Sequence, residues 1–102
     1  MKKTTYLSGV SLLALSLSGC SDSNDFKPIT GMDGMDIYAN ACASCHGENG
    51  QGKFGLLLKL ADSEASPEEI SAKIINGGQL MPAFPNISQA QAEQIAAYLK
   101  AQ

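Results

Sequence analysis

Two cysteines and a histidine stand together near the middle of the chain, in the run Cys42-Ala43-Ser44-Cys45-His46. Two thiols three residues apart, followed at once by an imidazole, have the spacing by which a polypeptide attaches a c-type haem. Each thiol bonds one haem vinyl group, and the adjacent histidine then lies under the iron as a nitrogen ligand. Cys42, Cys45 and His46 are therefore predicted to hold one haem c through two thioether bonds.

Three other chemistries use similar residues. A thioredoxin-like thiol pair follows a strand in a βαβ pattern, which this sequence lacks. A structural zinc site needs four ligands, and the predicted domain offers two cysteines and one histidine. A disulfide between Cys42 and Cys45 is open in an oxidising compartment, but it gives His46 no role. A thiol redox or metal-shuttling module stays as the non-haem alternative.

A second axial ligand is found by elimination. His46 is the only histidine in the chain, which excludes ligation by two histidines of one molecule. Of the four methionines, the first is removed, and Met32 and Met35 lie just upstream of the attachment motif. Met81 lies far enough downstream for the chain to wrap the ring, in a loop that two prolines keep from turning helical. Met81 is the predicted distal ligand, and its role as core filler is the alternative.

Helix start signals predict the elements that position these residues. Ser66-Pro67-Glu68-Glu69 combines an N-cap, a proline suited to the first helical position and a capping box. Ser88 with Gln91 repeats the capping box, and Asp33 is a possible N-cap before Gly34. No run alternates strictly enough to predict a strand, so the fold class is all-α. The predicted helices are 34–43, which ends in the haem motif, 66–76, and 88 to the C-terminus.

Residues 1–19 have the layout of a lipoprotein signal peptide. Two lysines precede an apolar run over residues 6–17, which is shorter than the roughly 20 residues that span a membrane. The ending Leu17-Ser18-Gly19-Cys20 resembles the lipobox of bacterial lipoproteins, where the cut falls before the cysteine and its thiol carries the lipid. Acylation also explains why Cys20 stands outside the haem motif. The alternative is an ordinary cleaved signal with an incidental cysteine.

The rest of the chain divides into a linker and one small domain. Residues 20–33 are polar and turn-rich, which is typical of a flexible tether, and residues 34–102 form the domain. Without Lys2 and Lys3, the seven basic residues become five, against ten acidic ones, a net charge of −5. This charge argues against nucleic acid as a partner and allows steering toward a basic protein, with plain solubility as the alternative reading.

From Gly34 to the C-terminus, the chain resembles the small class I bacterial cytochromes c. In that family, a glycine and an aromatic residue of the first helix cross an aliphatic and an aromatic residue of the last one, and a Met-Pro-x-Phe loop supplies the distal ligand. One family feature is altered. The family often has a Gly-Pro-x-Leu run, in which the proline carbonyl accepts a hydrogen bond from the proximal histidine. Here the run is Gly55-Leu56-Leu57-Leu58, so the Leu56 carbonyl is the expected acceptor. The matching residues are Gly34, Tyr38, Ile95, Tyr98 and Met81-Pro82-Ala83-Phe84.

The resemblance implies a cytochrome c fold, with three to four short helices wrapped around one covalently bound haem. His46 would be the proximal ligand and Met81 the distal one, with Phe84 and the leucines at 56, 57, 58 and 60 as pocket walls. Because protein fills both axial positions, the implied function is one-electron carriage and not catalysis on a small-molecule substrate.

The expected setting is a membrane surface. The lipid anchor at Cys20 would place the exported domain on the periplasmic or extracytoplasmic side of a bacterial membrane, where respiratory redox proteins are its donors and acceptors. Two further readings stay open. One is a haem-based sensor or haem enzyme in which Met81 is displaced or not ligated, and the other is an electron-transfer subunit of a larger oxidoreductase.

Overall fold

The computed structural model describes residues 23–53 and 58–102. The predicted signal peptide, the predicted lipid attachment site Cys20 and the predicted pocket leucines 56 and 57 lie outside these residues. The described part confirms the all-α class, with one isolated parallel bridge between Ser23 and Ala83. None of its helices is long and apolar enough to cross a membrane. In chain order they are α1 (Gly34–Ala41), α2 (Ala43–His46), a 3-10 helix (Glu48–Gly50), α3 (Pro67–Asn76) and α4 (Gln89–Lys100).

The three longer helices begin where their capping residues predict. Asp33, Ser66 and Ser88 each accept a hydrogen bond from the backbone N–H three residues on, and each capping box is closed by a return bond. These bonds satisfy backbone donors that a helix start otherwise leaves without a partner. The loop between α3 and α4, residues 77–87, is called the Met81 loop below.

The first helix is shorter than predicted. It ends at Ala41, and Cys42 is its C-cap, with an N–H that donates to the Tyr38 carbonyl at 2.9 Å and a φ of −118° that departs from the value of a regular helix. The chain then restarts as the one-turn α2, in which the His46 N–H donates to the Cys42 carbonyl at 3.0 Å. The prediction of a single helix over 34–43 is therefore wrong at its C-terminal end, and the attachment motif occupies a turn of its own.

The close crossing of α1 and α4 depends on Gly34. A Cβ atom at this position would overlap the carbonyl oxygen of Gln94 and lie 2.9 Å from the Ile95 nitrogen. Beyond the crossing, the rings of Tyr38 and Tyr98 pack with centroids 5.4 Å apart and planes tilted by 49°. The buried core around this contact consists of Ile37, Tyr38, Cys42, Ile74, Phe84, Ile87, Ala92, Ile95 and Leu99.

Tyr38 also connects the crossing to the chain just after the attachment motif. Its buried hydroxyl donates to the Gly47 carbonyl at 2.6 Å. Burial raises the pKa of Tyr38 to about 12, because the phenolate would lose its solvation. The neutral hydroxyl therefore stays in place at any physiological pH and fixes the position of Gly47 beside His46.

Residues 23–26, called the strap below, lie against the domain, although 20–33 are predicted to be a flexible tether. The Asn24 N–H donates to the Ala83 carbonyl at 2.7 Å, and Asn86 Nδ2 donates to the Asp25 carbonyl at 3.1 Å. Phe26 packs partly buried against the core. The difference arises because the partners of this segment lie about sixty residues away, where local composition gives no sign of them.

We expect Gly34→Ala to lower the free energy of unfolding by about 2 to 3 kcal/mol, since α1 and α4 must separate to admit the methyl group. Thermal unfolding of the haem-loaded protein measures this. Gly78→Ala is the matched control, because the three atoms nearest to its new methyl all belong to the flexible side chain of Lys73. It should change stability by less than about 1 kcal/mol. Equal losses in the two variants would contradict the role given to the crossing.

Tyr38→Phe should lower stability at neutral pH by about 1 kcal/mol, because the Gly47 carbonyl loses its buried donor. It should also remove part of the alkaline instability. Between pH 10 and about 12 the unfolded tyrosine releases a proton that the folded one keeps, so the free energy of unfolding falls as pH rises through this range. Denaturant titrations at several pH values test this, and an unchanged alkaline slope in Tyr38→Phe would contradict it.

Candidate haem site

A cavity of about 980 Å³ opens between α1, α2, α3, α4 and the Met81 loop. Cys42, His46 and Met81 line it together, so the structure brings three of the predicted site residues to one place. The volume lies at the upper end of the roughly 300–1,000 Å³ of small-molecule sites, and suits a large ligand. Most of the remaining wall is apolar, formed by Leu60, Ile70, Ile74, Leu80, Ile95 and Leu99.

The ring of His46 is oriented by a backbone carbonyl. Its Nδ1 lies 2.7 Å from the Leu58 oxygen. A carbonyl oxygen only accepts hydrogen bonds, so Nδ1 carries the proton and donates it, which leaves the lone pair of Nε2 for a metal ion. Metal-binding histidines in proteins are commonly oriented in this way. The acceptor is Leu58, whereas Leu56 was predicted, so the expected bond is present but displaced by two residues.

The two motif cysteines differ in exposure. Cys42 is buried and lines the cavity, whereas Cys45 is exposed and is not part of its lining. The two thiols are not joined in a disulfide. Burial, followed by the neighbouring Cys45, raises the pKa of the Cys42 thiol to about 11.

Met81 lies half-buried in a loop that α3 holds in place. The Gly78 N–H donates to the Met81 carbonyl at 2.8 Å, and the Phe84 N–H donates to the Ile74 carbonyl of α3 at 2.9 Å. Next to Met81, the side chain of Leu80 is 97% exposed at the wall of the cavity. An apolar side chain in this position is suited to contact with a flat apolar group bound in the cavity.

The pocket walls differ from those predicted. Phe84 is buried in the core and does not line the cavity, and Leu58 contributes its carbonyl while its side chain is largely exposed. Of the predicted leucines in the described residues, only Leu60 reaches the cavity wall. The main walls come instead from isoleucines and a leucine of α3 and α4. Their spacing of four residues was visible in the sequence, but it indicated only which helix face is buried.

Hydrogen bonds that sequence reasoning missed hold the segment after the motif against α4. The Tyr98 hydroxyl donates to Asn49 Oδ1 at 2.7 Å. Lys100 Nζ donates to the carbonyls of Ser63 and Ala65 at 2.7 and 3.0 Å. These partners are separated by 35 or more residues, and no local sequence signal identifies them. Together they frame the side of the site that carries His46.

The donor set fits a haem. The imidazole of His46, the thioether of Met81 and the thiol of Cys42 belong to residues that line one apolar cavity. The second thiol, that of Cys45, is three residues further along the chain. This is the combination found in c-type sites with histidine and methionine ligands. In residues 23–53 and 58–102, no three His, Cys, Asp or Glu side chains are grouped to hold a metal ion by themselves. His46 and Met81 would hold the iron, and the two motif cysteines would hold the ring.

Comparisons with known proteins support this interpretation. Residues 30–99 match the family model described as cytochrome c oxidase, cbb3-type, subunit III. Cytochrome c6 of Nostoc sp. is 34% identical over 94 residues, which cover 86% of this chain and 85% of that protein. Outer membrane cytochrome F of Geobacter sulfurreducens superposes with a TM-score of 0.54 at 30% identity, over 67% of this chain and 95% of that one. Cytochrome c6 of the diatom Phaeodactylum tricornutum superposes with a TM-score of 0.54 at 26% identity, over 67% of this chain and 87% of that one.

The family match runs from before α1 into the last turn of α4, and so includes all the elements that surround the cavity. The predicted cytochrome c fold and the predicted cofactor are confirmed by these similarities. The chain therefore belongs to the small class I c-type cytochromes, and it is an electron-transfer protein with one covalently bound haem c and redox partners, not an enzyme.

Proposed function

We propose that this chain carries single electrons with His46 and Met81 as the two axial ligands and with Cys42 and Cys45 as the covalent tethers. The observation that supports this assignment is that His46 and Met81 line the same cavity, with the Nε2 lone pair of His46 left free by the bond to Leu58. The haem supplies reversible one-electron exchange when it is bound. With His46 and Met81 both bound to it, the iron would have no free position for a substrate.

The walls of the site favour a high reduction potential. Ile70, Ile74 and Leu99 keep water from one side of the cavity, and a low local polarity disfavours the more highly charged oxidised state. A thioether ligand acts in the same direction, because it stabilises the reduced iron. The chain's own contribution is thus to exclude water and to hold the two ligands.

Met81→Ala should keep the haem covalently attached but shift the ferric spectrum toward high spin and lower the reduction potential, because the sixth ligand is lost. Visible spectroscopy and potentiometric titration measure both effects. Met35→Ala is the matched control, since Met35 is an exposed methionine on α1. Its spectrum and potential should equal those of the unmodified protein. An unchanged spectrum in Met81→Ala would remove Met81 from the assignment, and a high-spin spectrum already present in the unmodified protein would favour the haem sensor alternative.

We also propose a membrane-anchored setting, with residues 1–19 as signal peptide, Cys20 as the lipid attachment site and 34–102 as the haem domain. Only two residues separate Cys20 from Ser23, and an extended chain spans at most about 3.6 Å per residue, so an anchor at Cys20 lies within about 11 Å of Ser23. Because Ser23 pairs with Ala83, the anchor would keep the Met81 loop near the membrane surface. The name of the similar outer membrane cytochrome F supports such a location.

This setting implies that the redox partners are membrane-associated respiratory proteins on the extracytoplasmic side. A tethered carrier meets such partners more often than a freely diffusing one, because attachment raises its effective concentration at the surface. The net charge of −5 left after removal of Lys2 and Lys3, from ten acidic and five basic residues, suits a partner with a basic docking surface.

Cys20→Ser should move the protein from the membrane to the soluble fraction, because the acceptor thiol for the lipid is lost. Fractionation of cells that express the full chain, followed by detection of its haem, measures this. Ser21→Ala, one residue further along, serves as control and should stay with the membrane. Retention of Cys20→Ser in the membrane fraction would refute lipid attachment at this residue.

A second candidate is an electron-transfer subunit of a larger oxidoreductase. The observation in its favour is the name of the matching family model, which describes a subunit of a cbb3-type cytochrome c oxidase. Mild detergent extraction and size-exclusion chromatography separate the two candidates. An independent carrier elutes at the size of the single chain in its micelle, whereas a subunit elutes with other haem proteins.

A further inference from the structure

Among the described residues, hydrogen bonds of Asn24 and Asp25 join the strap to the Met81 loop. We propose that the strap holds Met81 in position as a ligand, acting through Ala83 and Asn86, so that Asn24 and Asn86 are positioning residues of the redox centre. This inference rests on the proposed assignment of Met81 as a ligand and adds the residues that position it. It assigns a role in ligation to a segment that precedes the haem domain predicted from the sequence.

The Met81 loop has few hydrogen bonds within itself. Pro82 and Pro85 have no backbone N–H, so they cannot donate to a turn within the loop. Its own bonds, from the Gly78 N–H to the Met81 carbonyl at 2.8 Å and from the Ile87 N–H to the Phe84 carbonyl at 3.2 Å, lie toward its two ends, on either side of Pro82 and Ala83. The approach of the loop to the end of α3 is close, since a Cβ on Gly77 would lie 2.7 Å from the Ala83 nitrogen. On this side the loop is held by the bond from the Phe84 N–H to the Ile74 carbonyl.

The strap holds the other side of the loop. Ala83, two residues after Met81, accepts from the Asn24 N–H at 2.7 Å, the shorter of the two strap bonds. Three residues further on, Asn86 donates from its side chain to the Asp25 carbonyl at 3.1 Å. The loop is thus fixed between a helix on one side and the strap on the other.

The strap is itself fixed by a local turn and an anchor in the core. Asn24 Oδ1 accepts from the Phe26 N–H at 2.8 Å, which turns the chain so that the Phe26 ring packs against the core. A side chain of this type commonly stabilises such turns by bonding to the backbone two residues on. Asn24 therefore acts twice, once through its backbone N–H on Ala83 and once through its side chain on the shape of the strap.

The physical consequence concerns the balance between Met81 bound and Met81 displaced. Hydrogen bonds that form only when the loop is in place favour the bound state, and their removal shifts the balance by their net free energy. A typical bond of this kind is worth about 1 kcal/mol, which corresponds to about a fivefold change in an equilibrium constant. An added ligand that must displace Met81, such as imidazole, then binds more tightly to a protein without the strap contacts.

The experiment is a titration of the full-length, haem-loaded ferric protein with imidazole, followed by visible absorption, for Asn86→Ala, Asn24→Ala and the double variant. We expect the affinity for imidazole to rise about fivefold in Asn86→Ala, which loses the bond to Asp25, and by less in Asn24→Ala, which keeps its backbone N–H for Ala83 and loses only the side-chain bond to Phe26. The double variant should show the largest rise, and each variant a lower reduction potential. Asn40→Ala is the matched control, because Asn40 Nδ2 also donates to a backbone carbonyl, that of Asp36, but on α1 away from the loop. Its affinity should not change.

The readout separates positioning from a merely structural role. If Asn86→Ala and Asn24→Ala lower the melting temperature but leave the imidazole affinity and the potential equal to those of Asn40→Ala, the strap does not position Met81. The ligand assignment itself is checked in the same series with Met81→Ala. If this variant has an unchanged ferric spectrum, the proposed ligation fails, whereas a high-spin Met81→Ala with unaltered strap variants overturns only the present inference.

Discussion

Helix α1 crosses α4 with the α-carbon of Gly34 against the backbone at Gln94, and the site depends on this contact. Because of this contact, Ile95 and Leu99 of α4 line the same cavity as Cys42. The Tyr38 and Tyr98 rings close the far end of the crossing, and their hydroxyls reach Gly47 and Asn49 in the segment after the attachment motif. One close helix contact thus sets both the wall and the proximal side of the haem site.

The remaining parts of the site are two segments without regular structure, each held by hydrogen bonds to distant residues. On the proximal side, the segment that begins at Leu58 supplies the carbonyl that orients His46, and Lys100 donates to the carbonyls of Ser63 and Ala65 a few residues later. On the distal side, the Met81 loop is held between the end of α3 and the strap. Rigid helices therefore form the walls, while the two ligands depend on loops that those helices hold in position.

The sequence predicts some of these features well and others not at all. Caps at Ser66 and Ser88 and the attachment motif are local patterns, and local chemistry is enough to identify them. Two other features depend on backbone conformation at single positions, which helix propensity does not determine. They are the end of α1 before Cys42 and the choice of the Leu58 carbonyl as acceptor. The contacts of the strap could not be predicted from the sequence, because its partners in the Met81 loop are about sixty residues away.

The central claim is that the chain holds one haem covalently through its two motif cysteines. The most direct measurement is the visible spectrum of the reduced, denatured protein in alkaline pyridine, taken after extraction with acidified acetone. The account predicts that the haem stays with the polypeptide and shows the band position of a porphyrin with both vinyl groups saturated. Haem that passes into the acetone, or a band typical of intact vinyl groups, would contradict attachment at Cys42 and Cys45.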